Sequence, residues 1–147
     1  MSGALHQVYL GLGSNLSDRQ ASIASAVRLI GERVGTVTRQ SSLIETAPWG
    51  FESVHQFLNG VILCETALSP RGVLNATQQI ERELGKTSQH ATQRTNSQSY
   101  KDRPIDIDIL LYDDLKVDEP GLRIPHPLMR ERDFVMIPLQ EIMENNN

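Results

Sequence analysis

The sequence predicts an α+β fold: a ferredoxin-like split βαβ sandwich, in which an antiparallel sheet carries its helices on one face. The main observation is the order of the apolar segments, which is strand, helix, strand, strand, helix, strand. No internal repeat interrupts this order. The chain has 147 residues, enough for one hydrophobic core, so we expect a single domain over residues 1–147.

The composition excludes several classes of protein. Hydrophobic residues make up 39% and charged residues 22%, which is typical of a globular chain. The net charge of −4, without a basic block, argues against a nucleic-acid partner. Cys64 is the only cysteine, so an internal disulfide is impossible and a reducing compartment is expected. No apolar run is long enough to span a membrane. We expect a monomeric, cytoplasmic protein with no membrane partner.

The first strand is predicted over Val8–Gly13, and a helix follows it. Gly11 and Gly13 lie at this junction, where glycines form either a tight turn or a phosphate-binding loop. The turn is favoured, because Leu16 occupies the third glycine position of the dinucleotide fingerprint. Gly35 is expected to end the helix. The helix itself is indicated by apolar residues at i, i+4, i+7 and i+11: Ile23, Val27, Ile30 and Val34.

The next two strands are predicted over Thr36–Glu45 and Gln56–Thr66, with a loop between them that contains Trp49. Aromatic side chains in such a loop serve either core packing or ligand contact, and the sequence favours neither. On the third strand, Phe57 and Asn59 share one face. A ring beside an amide makes a floor for a flat heterocycle, although an Asn that caps or is solvated at a strand start is commoner.

The second helix is predicted to begin at Ser69-Pro70, with Ser as N-cap and Pro at the first position, and to end at Gly85. Gln78 and Glu81 are three residues apart and therefore meet on one helix face. The polar segment Lys86–Lys101 follows, without apolar periodicity. A loop this long is either functional or disordered, and its cations suit a lid over a polyphosphate.

The last predicted strand, Arg103–Tyr112, carries two carboxylates, Asp106 and Asp108, on one face about 6–7 Å apart. Asp is rare in strands, and like charges this close repel each other. A shared Mg²⁺ would remove the repulsion, but a solvated strand face explains the pair equally well. Strand alternation places Ile105, Ile107, Ile109 and Leu111 on one face, and Asp106, Asp108, Leu110 and Tyr112 on the other.

The C-terminal part holds one further candidate. Leu122–Pro127 is predicted to be extended, because each proline disfavours helix at the residue before it. His126 lies between two prolines. It is either a ligand contact or a structural hydrogen-bonding group, and the second role is the commoner one for such a histidine. A short last helix is predicted over Pro138–Ile142.

Five groups of residues carry a resemblance that covers Val8 to about Ile142. They are Leu10–Leu16, Glu45–Gly50, Phe57–Gly60, Arg103–Leu110, and Ile124–Pro127 with Arg132–Phe134. In this order and spacing, the sequence resembles the 6-hydroxymethyl-7,8-dihydropterin pyrophosphokinase family of folate biosynthesis. Members transfer the terminal pyrophosphate of ATP to the hydroxymethyl oxygen of the pterin and leave AMP.

The resemblance implies a role for each matching residue. Two Mg²⁺ ions are expected on Asp106 and Asp108, and the catalytic group is completed by Arg103 and Lys86. The implied ATP contacts are Gln78, Glu81, Lys86, Arg103, Ile109, His126 and Arg132. The implied pterin contacts are Thr46, Ala47, Trp49, Phe57, Asn59 and Phe134.

The sequence departs from the family pattern at two of these positions. Lys86 stands where many members have arginine, and a lysine lacks the bidentate guanidinium fork. Ala47 occupies a frequent proline position. Two alternatives stay open: another Mg²⁺–nucleotide-dependent transferase, and a non-catalytic ferredoxin-like ligand-binding module in which the two Asp carboxylates are only solvated.

Overall fold

The structure, a computed structural model, describes residues 5–15, 18–46, 57–87 and 105–144, without the side chains of residues 86, 87 and 144. No helix among these residues is long and apolar enough to cross a membrane. The elements are β1 (His6–Ser14), α1 (Arg19–Arg33), β2 (Gly35–Gln40), β3 (Ile44–Thr46), β4 (Phe57–Thr66), α2 (Pro70–Thr87), β5 (Asp106–Tyr112), β6 (Val117–Glu119), β7 (Leu122–Ile124), a 3₁₀ turn (Met129–Glu131) and α3 (Asp133–Glu144).

The main sheet has the strand order β2-β4-β1-β5, and β3 pairs with the start of β4. Every pair is antiparallel. β1 and β2 therefore run parallel with β4 between them, and α1 connects them. β4 and β5 likewise flank β1. This is the split βαβ arrangement, and the predicted α+β class and antiparallel sheet are confirmed.

The helices α1 and α2 cover one face of the sheet. Ser69 caps α2 as predicted, since its Oγ accepts the Gly72 N–H at 3.0 Å. The core beneath the two helices takes alternate residues from the central strands, because side chains of a strand alternate between faces. Its buried residues include Val8, Leu10, Leu12, Ile23, Ile30, Ile62, Cys64, Val73, Ile80, Ile107 and Ile109.

The third helix, α3, lies on the opposite face, so the prediction of helices on one face holds for α1 and α2 only. A second core forms there from Val61, Leu63, Leu110, Met129, Val135, Leu139 and Ile142. The reason lies in β4, which is buried along nearly its whole length. A strand that is apolar on both faces needs cover on both.

The predicted single strand Thr36–Glu45 is two strands, β2 and β3, with residues 41–43 between them. At this break the Ser41 N–H donates to the Val61 carbonyl, while the Val61 N–H donates to Ser41 Oγ, each at 2.9 Å. The serine hydroxyl thus replaces a backbone carbonyl in the ladder. This substitution lets the chain leave β4 and return to it.

Neither glycine predicted to end a helix does so. Val34 is the C-cap of α1, and Gly35 begins β2, where a Cβ would collide with the backbone carbonyl of Glu65. α2 continues through Gly85 to Thr87, and a Cβ at Gly85 would meet no atom within 4 Å. Gly35 is therefore explained by strand packing rather than by helix termination.

A bulge in β5 changes the predicted faces of its last residues. Tyr9 pairs with Leu111 and Leu10 with Ile109, so Leu110 is the extra residue. Leu111 consequently packs with the core under α3, and Tyr112 packs with the core under α1 and α2. Strict alternation predicted the reverse for these two residues, because it assumes an uninterrupted ladder.

Candidate functional site

Three rows of residues cross β4, β1 and β5 on the face that carries α3, since residues directly opposite in antiparallel strands share a face. The rows are numbered from the one that packs in the core under α3 to the one that lies farthest from this core along the strands. In this order the rows are Leu63–Tyr9–Leu111, Val61–Gly11–Asp108 and Asn59–Gly13–Asp106. We call the first row the covered row, and the last two the glycine rows.

The two glycines lie inside β1 and pair with strands on both sides, so neither the predicted tight turn nor a phosphate-binding loop forms there. Gly13 makes close contact with its neighbours on β4. A Cβ at Gly13 would lie 3.0 Å from Asn59 Oδ1 and 3.6 Å from Phe57 Cδ1. The missing side chain therefore leaves room for the amide and the ring to lie across β1.

Asn59 is held in one orientation. It is the third residue of β4 and is buried, at 6% exposed. Its Nδ2 donates to Thr46 Oγ1 of β3 at 2.8 Å. The predicted residues Thr46, Phe57 and Asn59 thus lie together on β3 and β4. The commoner explanation, an Asn solvated at a strand start, does not apply to this buried position.

The two carboxylates on β5 are half-buried and line a cavity of about 380 Å³. No strand among the described residues pairs with the outer edge of β5, and the cavity runs along this free edge, between α2 and the β6–β7 hairpin. Four predicted nucleotide contacts line it together with Asp106 and Asp108: Gln78, Glu81, Ile109 and His126.

The free edge of β5 is capped from both neighbouring segments. The Glu81 carboxylate accepts the Ile107 N–H at 2.6 Å. The His126 N–H donates to the Leu110 carbonyl at 3.0 Å. These bonds tie α2 and the segment after β7 to the strand that carries the two Asp residues. Ile109, which lies between the two capped positions, lines the cavity.

His126 is held as a neutral imidazole. Its Nδ1 accepts the Leu128 N–H at 3.2 Å, which assigns the proton of a neutral ring to Nε2. Burial lowers the pKa of His126 and the nearby Arg132 charge lowers it further, whereas Asp106 raises it. His126 therefore offers a neutral N–H donor beside the cavity at pH 7.

The start of α3 brings together Arg132 and Phe134. The guanidinium carbon of Arg132 lies 5.6 Å from the centre of the Phe134 ring, within the range of a cation–π contact. Phe134 is half-buried at the border of the core under α3. Three other predicted site residues, Ala47, Trp49 and Arg103, lie outside the described residues. Lys86 lies in the last turn of α2, where the structure describes only its backbone.

Comparison with known proteins decides the family. The sequence model for 7,8-dihydro-6-hydroxymethylpterin-pyrophosphokinase (HPPK) matches residues 9–144. The chain belongs to this family. The protein named 2-amino-4-hydroxy-6-hydroxymethyldihydropteridine pyrophosphokinase in Porphyromonas gingivalis is 49% identical over 136 residues, 92% of this chain and 89% of its own. The Bacillus subtilis protein of the same name is 42% identical over 137 residues, 92% of this chain and 77% of its own.

A solved structure supports the same fold. A crystal structure described as HPPK-DHPS in complex with substrates matches with a TM-score of 0.73 and 13% sequence identity. The match covers 96% of this chain but only 40% of that one, so this HPPK-family chain spans about two fifths of the matched protein.

The carboxylates of this HPPK-family chain fit a magnesium site by their chemistry. Mg²⁺ prefers oxygen ligands and takes one or two carboxylates together with phosphate oxygens and water. Asp106 and Asp108 supply two carboxylates on one strand face. Within the described part of the chain, no group of three or more His, Cys, Asp and Glu residues is placed to hold a metal. The pair therefore suits an ion that completes its shell with substrate oxygens.

Sequence reasoning misses two contributions to this candidate site. Gly13 was interpreted as part of a turn, because only the register of β1 between β4 and β5 shows that it separates Asn59 from Asp106. The hairpin residues Gly121 and Arg123 line the cavity as well. Their available signal was weak: an exposed Arg between the apolar Leu122 and Ile124.

Proposed function

We propose that this chain transfers pyrophosphate from ATP to the hydroxymethyl oxygen of 6-hydroxymethyl-7,8-dihydropterin, with AMP as the second product, in folate biosynthesis. The supporting observation is the third row, in which Gly13 alone separates Asn59 from Asp106. Two strand spacings make this separation about 10 Å. A flat ring that is hydrogen-bonded by Asn59 can therefore extend its hydroxymethyl arm towards the two carboxylates. The same carboxylates also line the cavity.

The cavity at the free edge of β5 is the proposed ATP site. The neutral His126 N–H and the Ile109 backbone are suited to the uncharged edges of a base. Gln78 and Glu81 of α2 supply polar groups on the opposite wall. The cations proposed to bind the phosphates are Lys86, Arg103 and Arg132.

The proposed pterin site lies over the glycine rows. Asn59 has its Nδ2 engaged by Thr46 and its Oδ1 beside Gly13, so the amide is oriented before the ligand arrives. Phe57 and Phe134 are proposed to stack on the two faces of the ring. Ala47 and Trp49 are proposed to contribute from the segment after β3.

Asp106 and Asp108 are the proposed ligands of two Mg²⁺ ions. Bound there, the ions would neutralise the charge that develops on the phosphate oxygens. The chain's own part is to hold both carboxylates on one strand face and to position the two substrates around them. We further propose that the chain is a single-domain, cytoplasmic monomer that acts without a nucleic-acid or membrane partner.

Mixing the protein with ATP, Mg²⁺ and 6-hydroxymethyl-7,8-dihydropterin tests this proposal. AMP and pterin diphosphate should form together in equal amounts. Formation of ADP instead would indicate simple phosphoryl transfer. Binding of the pterin without any nucleotide product would point to a non-catalytic module, and either result would overturn the proposed reaction. An Asp108→Asn variant, assayed in parallel, should form no AMP above background.

A further inference from the structure

A carboxylate of α3 is bound to the segment that precedes β3, away from the proposed metal site. Glu141 Oε1 accepts the Ser42 N–H at 3.0 Å, and Oε2 accepts the same N–H at 3.2 Å and the Ser42 Oγ–H at 2.9 Å. Both carboxylate oxygens are used. We propose that Glu141 is a positioning residue that sets the pterin site by fixing β3 against α3; this inference rests on the pterin site proposed above.

The segment that Glu141 holds leads directly to the ring floor. β3 has three residues and, among the described residues, pairs only with the start of β4. So short a strand has little stability of its own. Its last residue, Thr46, accepts the Asn59 amide. A shift of β3 would therefore move the group that orients Asn59.

The same helix carries Phe134. Glu141 follows Phe134 by seven residues, so the two lie on one side of α3, about 10 Å apart along the axis. Glu141 thus connects the helix that carries one proposed stacking ring to the strand that orients Asn59. The contact therefore bears on the relative position of Phe134 and Asn59, two of the groups proposed to bind the pterin.

The position of Glu141 in the helix indicates that this contact has a specific role. It lies near the C-terminal end of α3, where the helix dipole disfavours a negative charge, and no basic residue stands in the last turn. Its partners are instead the two donors of Ser42. A carboxylate in this unfavourable place is explained by the bond it makes across to the other segment.

Steady-state kinetics of Glu141→Gln and Glu141→Asp test the proposal. Gln keeps the size but loses one acceptor, and Asp keeps the charge but loses one methylene of reach. Both should raise the KM for the pterin about three- to tenfold, the equivalent of about one hydrogen bond, while the KM for ATP changes less than about twofold. Ser42→Ala keeps the backbone N–H and should have a smaller effect.

Two control variants separate positioning from stability and from charge. Ile30→Val removes a buried methyl group from α1 on the opposite face of the sheet and should lower the Tm. It should not raise the KM for the pterin relative to the KM for ATP. Glu32→Gln removes an exposed carboxylate that is paired with Arg28 on α1. It should change neither the Tm nor the KM values for the pterin and ATP. Amide hydrogen exchange of Ser42 and Thr46 should accelerate in the Glu141 variants and not in the controls.

The outcomes distinguish this inference from the proposed site. If Asn59→Ala raises the pterin KM but the Glu141 variants do not, the site stands and the positioning role is refuted. If Asn59→Ala also leaves the pterin KM unchanged, the proposed pterin site itself fails and the inference fails with it. Equal rises in both KM values in the Glu141 variants would indicate a general structural role and would likewise refute it.

Discussion

The covered row and the glycine rows lie on the same face of the same three strands, yet their side chains differ in kind. The covered row is apolar on β4, β1 and β5 and packs against the core under α3. Four residues further along β4 and β1, and five along the bulged β5, the third row presents an amide, a glycine and a carboxylate. The change is staggered: β1 and β5 already carry Gly11 and Asp108 in the second row, whereas β4 keeps the apolar Val61 there and changes only at Asn59.

This difference separates what stabilises the fold from what the site requires. Gly weakens a strand and Asp is depleted in strands, so the glycine rows contradict local strand preference. Such exceptions are expected at functional sites, where the rest of the fold compensates for them. The compensation here is the core beneath α3, which continues the same three strands.

The largest expected effect separates the two regions by activity. Asp106→Ala or Asp108→Ala should reduce Mg²⁺-dependent AMP formation at least about a thousandfold, because the proposed Mg²⁺ ions would supply several kcal/mol of charge stabilisation. The Tm should stay unchanged or rise slightly, since two neighbouring like charges no longer repel each other. Asp114→Ala, in the exposed turn after β5, is the matched control. Near-normal turnover in both site variants would remove the metal from the proposal.

The converse substitution lies in the covered row. Leu63 is 5% exposed, and Leu63→Ala should lower the free energy of unfolding by about 2–5 kcal/mol through lost burial and a cavity. At a temperature where the variant is fully folded, both KM values should stay within about twofold of wild type, because Leu63 lies about 13 Å from Asn59 along β4. Denaturant unfolding and kinetics on the same preparation check this. A large rise in KM without loss of stability would contradict the separation.

A smaller effect is expected within the glycine rows. In Gly13→Ala, the added methyl group would lie 3.0 Å from Asn59 Oδ1, so the amide must shift by a few tenths of an ångström. We expect the pterin KM to rise by about threefold to tenfold, the equivalent of about 1 kcal/mol from a disturbed hydrogen bond, with less change for ATP. Gly31→Ala, on α1 at the opposite face of the sheet, whose methyl group would meet no atom within 4 Å, is the control. Equal KM values in the two variants would refute the close-contact explanation.

The smallest effect concerns the carboxylate that follows β5 at its other end. Asp113 accepts the Gln7 N–H and contacts His6 Nδ1, each at 2.7 Å. The Gln7 N–H bond is the main cause of a pKa for Asp113 below the ordinary 3.8, and His6 contributes further.

Because the folded-state pKa of Asp113 is lowered, its stabilisation is present above pH 3.8 and disappears as the pH falls through the folded value. Asp113→Asn should therefore destabilise the protein by less than about 1 kcal/mol at pH 7, since the site is exposed and screened. The difference should vanish at strongly acidic pH, and AMP formation should be unaffected. A constant destabilisation across the pH range would show that the charge of Asp113 is not the cause.

The sequence predicted the sheet and its two crossing helices, because periodicity and capping are local signals. The roles of the candidate site residues came from the family resemblance and stay predictions. It did not predict α3 on the opposite face, since one apolar helix stripe does not specify which face of a sheet it covers. The bulge at Leu110 and the place of Gly13 between Asn59 and Asp106 depend on strand register, a long-range property. The predicted roles of Ala47, Trp49 and Arg103, and the lid role of Lys86–Lys101, remain predictions.

The central claim is that the metal lies at the end of the sheet formed by the glycine rows. It can be tested by measuring the paramagnetic relaxation of backbone amides with Mn²⁺ as the probe. With a non-hydrolysable ATP analogue bound, amide relaxation should increase most at Gly13, Asp106 and Asp108. It should be weakest along the covered row, about 13 Å further along the strands from the third row. The enhancement should disappear in Asp106→Asn/Asp108→Asn. The largest relaxation around Asp113 and Asp114, or equal relaxation along all three rows, would contradict the account.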